Sequence, residues 1–475
     1  MKQWKALFSL PKIDIPKFRL PTRSAFSRTL PPLRIGDLRI PLPIVQGGMA
    51  VGISLSGLAA SVAREGGVGV IAATAIGMGE DDYFQNGHEA NARALKREIQ
   101  RFREAVNGVL GVNIMLAADD FSNLLDVCIR EKVDMVFLGA GLPTRGIPVD
   151  ALRRAGVKVI PIVSSARAAR LIFSYWRKTY ADIPDGVVVE GPLAGGHLGF
   201  SESALDKNEN RLENLVPAVI KALEEFQEKD RPEIPVIAAG GIFSGADIHR
   251  FLRMGAAGVQ MGTRFAATRE CDADNAFKQA FVDATREDIR IIASPVGLPG
   301  RALWGDFFKN LKTRAAGPTR CAWKCLKSCQ AEKARYCISL ALNAARKGDL
   351  RRGFAFAGAN AWRVQCIMSV RELIHSLSGE YGQAVETLAR RWFGEYEKVK
   401  SRIDELRREY GRMRDAALAD LKRKYGRVVV RGSDSLRREL ASIQERLSGV
   451  KAEYISRVHE LQTLVARLSA GGVTE

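Results

Sequence analysis

Four glycine-rich segments of this 475-residue chain have residue types and a spacing that suggest a binding site. Each follows a short apolar run, and a glycine pair lets backbone N–H groups approach a ligand because no Cβ stands in the way. Such loops, brought together, predict a phosphate site. No Walker-type lysine motif accompanies them, so the phosphate is expected on a bound cofactor or sugar phosphate rather than on a cleaved nucleotide. The segments are Gln46–Met49, Gly195–His197, Gly240–Gly241 and Gly262–Thr263.

Two polar side chains stand beside these glycines. His197 is one of only five histidines, and it lies in a glycine-flanked turn. An imidazole has an ordinary pKa of about 6.5, which permits proton transfer near neutral pH. The sequence therefore predicts a catalytic base at His197; the alternative is a histidine that caps a helix or bonds locally. Asn113 ends an apolar run, where an amide can both donate to and accept from a ligand, or simply turn the chain.

Four cysteines within 17 residues form a second candidate site, spaced C-x3-C-x3-C-x7-C. Four-residue steps would place the first three on one face of a helix. Neighbouring lysines and arginines favour thiolates, which are the ligands of an iron–sulfur cluster or a zinc ion. The spacing matches no common pattern for either metal, so small packing residues are the alternative. These are Cys321, Cys325, Cys329 and Cys337.

Eight short apolar runs alternate with amphipathic stretches between residues 36 and 270, which predicts an α/β fold. The runs are continuous rather than alternating, as is typical of parallel strands covered on both faces. Eight strand–helix repeats in about 250 residues indicate a (β/α)8 TIM barrel, and glycine loops after several different strands favour it over a doubly wound open sheet. The predicted strands are 44–46, 68–72, 109–114, 135–138, 158–163, 186–190, 235–238 and 258–261.

The predicted helices follow the strands. They span 55–65, 91–106, 121–131, 149–155, 166–179, 212–228 and 246–254. Beyond the barrel, the pattern predicts a Cys-containing segment and long charged helices. The domains expected are therefore a basic extended arm (1–35), the barrel (36–305), a basic Cys-rich segment (306–378) and a charged helical hairpin (379–475).

The net charge of +19 is concentrated in two places. Residues 1–40 hold nine Lys or Arg and two acids, and residues 301–370 hold fourteen and three. The nearly neutral stretch between them argues against an enzyme with a basic catalytic cleft for nucleic acid, and no nucleic-acid partner is expected. The basic flanks permit an acidic partner such as an acyl carrier.

Composition also bears on location. No apolar run reaches the ~18–20 residues that a membrane helix needs, so the chain is not expected to be transmembrane. The first residues lack the apolar core of a secretory signal. Seven cysteines, an odd and small number, are typical of a reducing compartment, so a cytoplasmic protein is expected.

Five motifs in order resemble the nitronate monooxygenase family, once called 2-nitropropane dioxygenases: PIVQGGM, GVNIML, EGPLAGGHLG, IPVIAAGGI and VQMGTRF. They also resemble the related FMN-dependent enoyl-acyl-carrier-protein reductases of type II. The resemblance covers residues 36–305 and implies a TIM barrel flavoprotein that binds FMN non-covalently. Many relatives carry Gln where this chain has Glu190. The implied FMN contacts are Gln46, Gly47, Gly48, Met49, Asn113, Glu190, Gly195, Gly196, Gly240, Gly241, Gln260, Met261, Gly262 and Thr263.

The resemblance implies an oxidoreductase that oxidises alkyl nitronates or nitroalkanes with dioxygen to a carbonyl compound and nitrite. His197 matches the family histidine that removes a proton or orients the substrate. One alternative is an enoyl-thioester reductase that uses NAD(P)H and FMN, with a substrate on an acyl carrier. Another is a flavin and iron–sulfur subunit for electron transfer or assembly. A homo-oligomer through the C-terminal helices is a further expectation.

Overall fold

The computed structural model describes residues 26–228, 233–313, 321, 323–327, 329–425 and 434–469. Most of the expected N-terminal arm (1–35) therefore lies outside the described residues. The strands, in chain order, are β1 (Leu33–Ile35), β2 (Leu38–Ile40), β3 (Ile44–Gln46), β4 (Gly69–Ala72), β5 (Leu110–Met115), β6 (Met135–Gly139), β7 (Lys158–Val163), β8 (Val187–Glu190), β9 (Gly196–His197), β10 (Val236–Ala239), β11 (Gly258–Met261), β12 (Ile289–Ala293) and β13 (Pro299–Leu303).

Thirteen α-helices connect and follow these strands within the described residues. They are α1 (Ser56–Arg64), α2 (Gly87–Ala105), α3 (Phe121–Arg130), α4 (Val149–Ala155), α5 (Ala166–Tyr180), α6 (Leu212–Leu223), α7 (Gly245–Arg253), α8 (Thr263–Ala266), α9 (Asn275–Asp283), α10 (Asp306–Thr313), α11 (Ile338–Arg346), α12 (Val370–Tyr425) and α13 (Asp434–Ser469).

The main sheet is an eight-stranded parallel barrel. Its order is β3–β11–β10–β8–β7–β6–β5–β4. Its two ends meet at a parallel bridge between Val45 and Val68, where Val68 N–H donates to Ile44 O at 2.9 Å and Gln46 N–H donates to Val68 O at 3.0 Å. The predicted (β/α)8 TIM barrel is confirmed, and the doubly wound sheet is excluded because that sheet has two open edges.

A hairpin closes the bottom of the barrel. Strands β1 and β2 pair antiparallel, and Leu33, Ile35 and Ile40 are fully buried among the inward-facing side chains of the barrel strands, including Phe137. Burial of these apolar side chains is the main stabilising contribution at this end. The opposite end, where the strands finish, is left for the loops that follow them.

A second, three-stranded antiparallel sheet lies beside the barrel mouth, in the order β12–β13–β9. It pairs Gly300 with His197 and Arg301 with Gly196. This sheet was not predicted from the sequence, because β9 has only two residues and its partner β13 is distant in the chain. A short turn, residues 294–298, joins β12 to β13.

The expected helix through Cys321, Cys325 and Cys329 is wrong. No described residue from 321 to 337 is helical. The backbone here pairs instead with the loop after β5: Lys327 N–H donates to Ala117 O at 2.8 Å, and Cys325 O accepts from Asp119 N–H at 3.2 Å. Groups committed to this pairing are not available for helical hydrogen bonds.

The chain divides into two compact units, Thr29–Gln383 and a second that includes Ala384–Glu475. In the second unit, residues 384–425 of α12 run antiparallel to α13, since Arg402 pairs with Glu453 at 2.8 Å and Lys424 with Glu439 at 2.5 Å. Among the described residues, no helix combines the length and apolar character needed to cross a membrane. The two helices share a buried apolar seam of Val399, Ile403, Leu406, Tyr454 and Leu461.

We expect Gly69→Ala to destabilise the barrel. Gly69 begins β4 where α1 packs closely, and a Cβ at this position would overlap the backbone of Ala59. Relieving that overlap should lower the free energy of unfolding by about 1–3 kcal/mol. Gly305→Ala is the control, because its Cβ would meet no atom within 4 Å. Equal denaturant midpoints for the two variants would show that the α1–β4 contact does not limit stability.

Candidate active site

A cavity of about 310 Å³ opens at the carboxyl ends of the barrel strands. This is the end at which TIM barrels carry their active sites. The loops after β3, β8, β10 and β11 converge on it because closure brings all strand ends to one rim. The predicted site residues that line it are Gly47, Gly48, Met49, Asn113, Glu190, Gly195, Gly196, His197, Gly240, Gly241, Gln260, Met261, Gly262 and Thr263.

Gln46 lies behind the cavity wall. It is fully buried. Its Nε2 donates to Gly47 O at 2.6 Å, and its Oε1 accepts from Val70 N–H at 2.9 Å. The side chain therefore joins β3 to β4 and fixes the first glycine loop, and both polar ends are satisfied by protein.

Glycine is required where the loops approach other groups. At Gly48, a Cβ would overlap the side chain of Asn113. Gly240 has φ +92°, and its Cβ would come within 2.7 Å of Gly191 O. Gly262 differs, because a Cβ there would meet no protein atom within 4 Å. The glycines thus set close loop packing in two places and leave open space in the third.

A loop after the barrel completes the cavity wall, and it was not predicted from the sequence to belong to the site. Phe356, Ala357, Gly358 and Asn360 line the cavity. Gly358 N–H donates to Thr263 Oγ1 at 3.1 Å, and Asn360 Nδ2 donates to Gly241 O at 2.5 Å. The sequence of this loop, GFAFAGAN, is rich in glycine and apolar residues. Because it is distant in sequence from the barrel motifs, its position at the cavity was not predicted.

These contacts fit a phosphate group. Because Thr263 Oγ1 accepts from Gly358, its own proton is free for donation to an anion. Gly240, Gly241 and Gly262 place backbone next to the cavity, in the loops after the last two barrel strands, which are the usual phosphate site of this fold. The residues present therefore suit the phosphate of the FMN that the sequence resemblance implies.

His197 is held by the second sheet and faces the cavity. Its Nε2 lies 2.7 Å from Ser294 Oγ, and its ring contacts the edge of Phe356 with centroids 5.1 Å apart. Burial lowers the pKa of His197 to about 4, since a charged imidazole is poorly solvated there. The ring is therefore neutral at neutral pH and has a nitrogen lone pair.

Arg301 fixes the loop that carries His197. Its Nη1 donates to the carbonyl oxygens of Pro192 and Ala194, the second at 2.9 Å. The side chain is largely buried, and burial lowers the pKa of Arg301. A buried guanidinium that satisfies two carbonyls in one loop holds that loop in one conformation.

Glu190 places an acid in the cavity wall at the end of β8. Burial raises the pKa of Glu190 to about 7, because no cation offsets the loss of water around the carboxylate. In the described part of the chain, no protein group forms a hydrogen bond or ion pair with the Glu190 carboxyl group. Protonated and charged forms of Glu190 therefore coexist near neutral pH.

The cysteines do not form the expected metal site. Within the described residues, no group of three or more His, Cys, Asp or Glu side chains is arranged to hold a metal ion. Burial raises the pKa of Cys325 to about 11, so it is a thiol, and its Sγ lies 3.4 Å from Ser339 Oγ. An iron–sulfur cluster or zinc ion on Cys321, Cys325, Cys329 and Cys337 is not supported.

Comparison with known families gives one match over most of the chain. The sequence profile of a family described as nitronate monooxygenase matches residues 33–380. The match extends beyond the barrel and includes the loop of Phe356, Gly358 and Asn360, in agreement with the contribution of that loop to the cavity wall.

Three proteins illustrate the range of the similarity. A 5-hydroxy-7a-methyl-1-oxo-octahydro-1H-indene-4-carboxyl-CoA dehydrogenase of Rhodococcus jostii is 29% identical over 57% of this chain; the alignment covers 65% of that protein, less than two thirds of its length. FabK of Thermotoga maritima is 30% identical, with a TM-score of 0.58 over 78% of this chain and 99% of FabK. A nitroalkane oxidase of Streptomyces ansochromogenes is 26% identical, with a TM-score of 0.57 over 74% of this chain and 98% of its own.

Proposed function

Because the chain belongs to the nitronate monooxygenase family, we propose that this oxidoreductase uses FMN to oxidise alkyl nitronates or nitroalkanes. Dioxygen is the co-substrate, and a carbonyl compound and nitrite are the products. One observation carries the proposal: a neutral His197, fixed by Ser294 at 2.7 Å, lines the same cavity as the glycine loops that suit a phosphate. A candidate base and a candidate cofactor site therefore line one cavity.

The residues that would hold FMN follow from the cavity wall. Gly240, Gly241, Gly262 and Thr263 would bind the phosphate, while Asn113 and Gln260 present amides to the remaining polar atoms. Gly47, Gly48, Met49, Glu190, Gly195, Gly196 and Met261 complete the wall. When bound, FMN supplies the transfer of electrons from substrate to dioxygen.

The chain's own residues handle the proton and the orientation of substrate. A neutral nitroalkane must lose the proton on the carbon beside the nitro group, and the neutral His197 imidazole can accept it. A preformed nitronate needs no deprotonation, and His197 then only orients it. Ser294 and Arg301 keep the imidazole and its loop in place. The entropic cost of bringing the base and the substrate into a reactive geometry is therefore smaller.

An enoyl-thioester reductase is the second candidate. It is favoured by the similarity to FabK, which covers nearly all of that protein, and by a relative named for a CoA thioester. A cation lies near the cavity: Lys327 follows Leu326, which lines it, and Lys327 Nζ lies 6.0 Å from the ring centroid of Phe121. A cation near the cavity would attract an acidic acyl carrier.

The protein should release FMN on heating. The loops after β10 and β11 would hold one phosphate, and the family resemblance implies FMN. Chromatography of the supernatant from heated protein identifies the flavin. FAD in that supernatant, or protein that stays colourless after incubation with FMN, would contradict the cofactor assignment.

His197→Ala should slow the oxidation of a neutral nitroalkane by about two to four orders of magnitude, because general-base catalysis contributes that much. Oxidation of the preformed nitronate should fall far less if His197 acts as the base. FMN content should stay normal, since His197 is not part of the phosphate cradle. His459→Ala, at an exposed position of α13, is the control. Full activity of His197→Ala on the neutral substrate would exclude the role.

Anaerobic titration separates the two candidate reactions. If the chain oxidises nitronates, an alkyl nitronate should bleach the flavin absorbance and NAD(P)H should do so slowly or not at all. Rapid bleaching by NAD(P)H, followed by reoxidation with an enoyl thioester, would replace the first candidate with the second. The measurement is the flavin absorption spectrum of the full chain in the absence of dioxygen.

A further inference from the structure

A second cavity of about 460 Å³ lies next to the loop after β10. Phe243 lines both this cavity and the candidate active site, so the two spaces are neighbours. Arg264, which follows Thr263 of the phosphate cradle, also lines it, together with Trp362 and Arg363. The cavity thus lies beside the cofactor site and is walled by arginine and aromatic side chains.

Two guanidinium groups meet at one aromatic ring in this cavity. The guanidinium carbons of Arg264 and Arg363 lie 4.5 Å and 4.4 Å from the ring centroid of Phe243. Arg264 Nη1 donates to Phe243 O at 3.0 Å, which fixes one of them. Burial and the charge on Arg363 lower the pKa of Arg264, and the charge on Glu380 raises it.

The positive charge here is not neutralised by contact with acids. Across the described residues, neither Arg264 nor Arg363 forms an ion pair with a carboxylate. Glu380 lines the cavity, but its oxygens accept from Gly245 N–H and Ser376 Oγ, both at 2.8 Å. Neither guanidinium group therefore has a carboxylate of the described residues beside it to offset its charge, and a phosphate bound in the cavity would supply that negative charge.

Trp362 adds a flat apolar surface. It is 39% exposed, and the guanidinium carbon of Arg286 lies 5.2 Å from its ring centroid. An exposed indole beside arginines suits a nucleobase, because each kind of base can stack on an aromatic face. The cavity therefore combines anchors for a phosphate and for a base.

We propose that this cavity binds the phosphorylated adenosine portion of a nucleotide, with the phosphate at Arg264 and Arg363 and the base on Trp362. Nitronate oxidation requires no nucleotide, so the inference goes beyond that reaction, and it names where the nucleotide of the second candidate reaction would bind. Two sources carry this chemistry: a pyridine nucleotide with a 2′-phosphate and a CoA thioester with a 3′-phosphate. Either would extend from the second cavity past Phe243 toward the candidate active site.

Calorimetry on the FMN-loaded full chain tests the proposal, with adenosine 2′,5′-bisphosphate and adenosine 3′,5′-bisphosphate as probes. One probe should bind with a stoichiometry of one. Arg363→Ala should weaken that binding about 10- to 100-fold, because a charge-assisted contact is lost. Trp362→Ala should weaken it as well. Arg371→Ala, at an exposed arginine outside the cavity, should leave the dissociation constant unchanged.

The outcomes distinguish the two sources of the ligand and can overturn the proposal. A preference for the 2′ probe assigns the site to a pyridine nucleotide, and a preference for the 3′ probe assigns it to CoA. No binding by either probe overturns the proposal, as does equal binding by Arg363→Ala and the unmodified chain. Binding only to FMN-free protein also overturns it, because the probe then occupies the phosphate cradle. Arg363→Gln serves in place of Arg363→Ala if the latter loses its flavin.

Discussion

Closure of the barrel at the seam between β3 and β4 is the constraint on which the rest of the structure depends. Few hydrogen bonds cross this seam, and the buried Gln46 side chain adds one by accepting from Val70 N–H at 2.9 Å. A buried amide must find partners or lose the free energy of its hydration, so Gln46 holds the seam in one register. Once the seam closes, the ends of all eight strands share one rim and their loops can meet.

Burial controls the electrostatics inside the cavity. Burial lowers the pKa of His197 to about 4 and raises the pKa of Glu190 to about 7. Both shifts favour the uncharged form of the side chain. Poor access of water to the cavity wall also makes each directed hydrogen bond stronger than it would be in water. The net positive charge of the chain is concentrated in residues 1–40 and 301–370.

The barrel could be predicted from sequence because its signals are local. The runs at β3, β7 and β11 are mostly apolar, and their observed bounds equal the predicted ones. The convergence of the glycine loops followed from the fold. The pairing of the sheet that carries His197 and the contacts of the loop at Gly358 could not be predicted, since they join residues that are distant in the chain. The cysteine spacing was misleading because Cys325 uses its backbone to pair with the loop after β5.

The loop at Gly358 also sets an order of events during synthesis. Gly358 contacts Thr263 from 95 positions later in the chain. At ~5–20 residues per second, the ribosome needs about 5–20 s to add that length. During this interval the barrel strands exist while one wall of the cavity does not. The cavity is therefore completed late in synthesis, and a nascent chain stalled before Gly358 has an incomplete cavity wall.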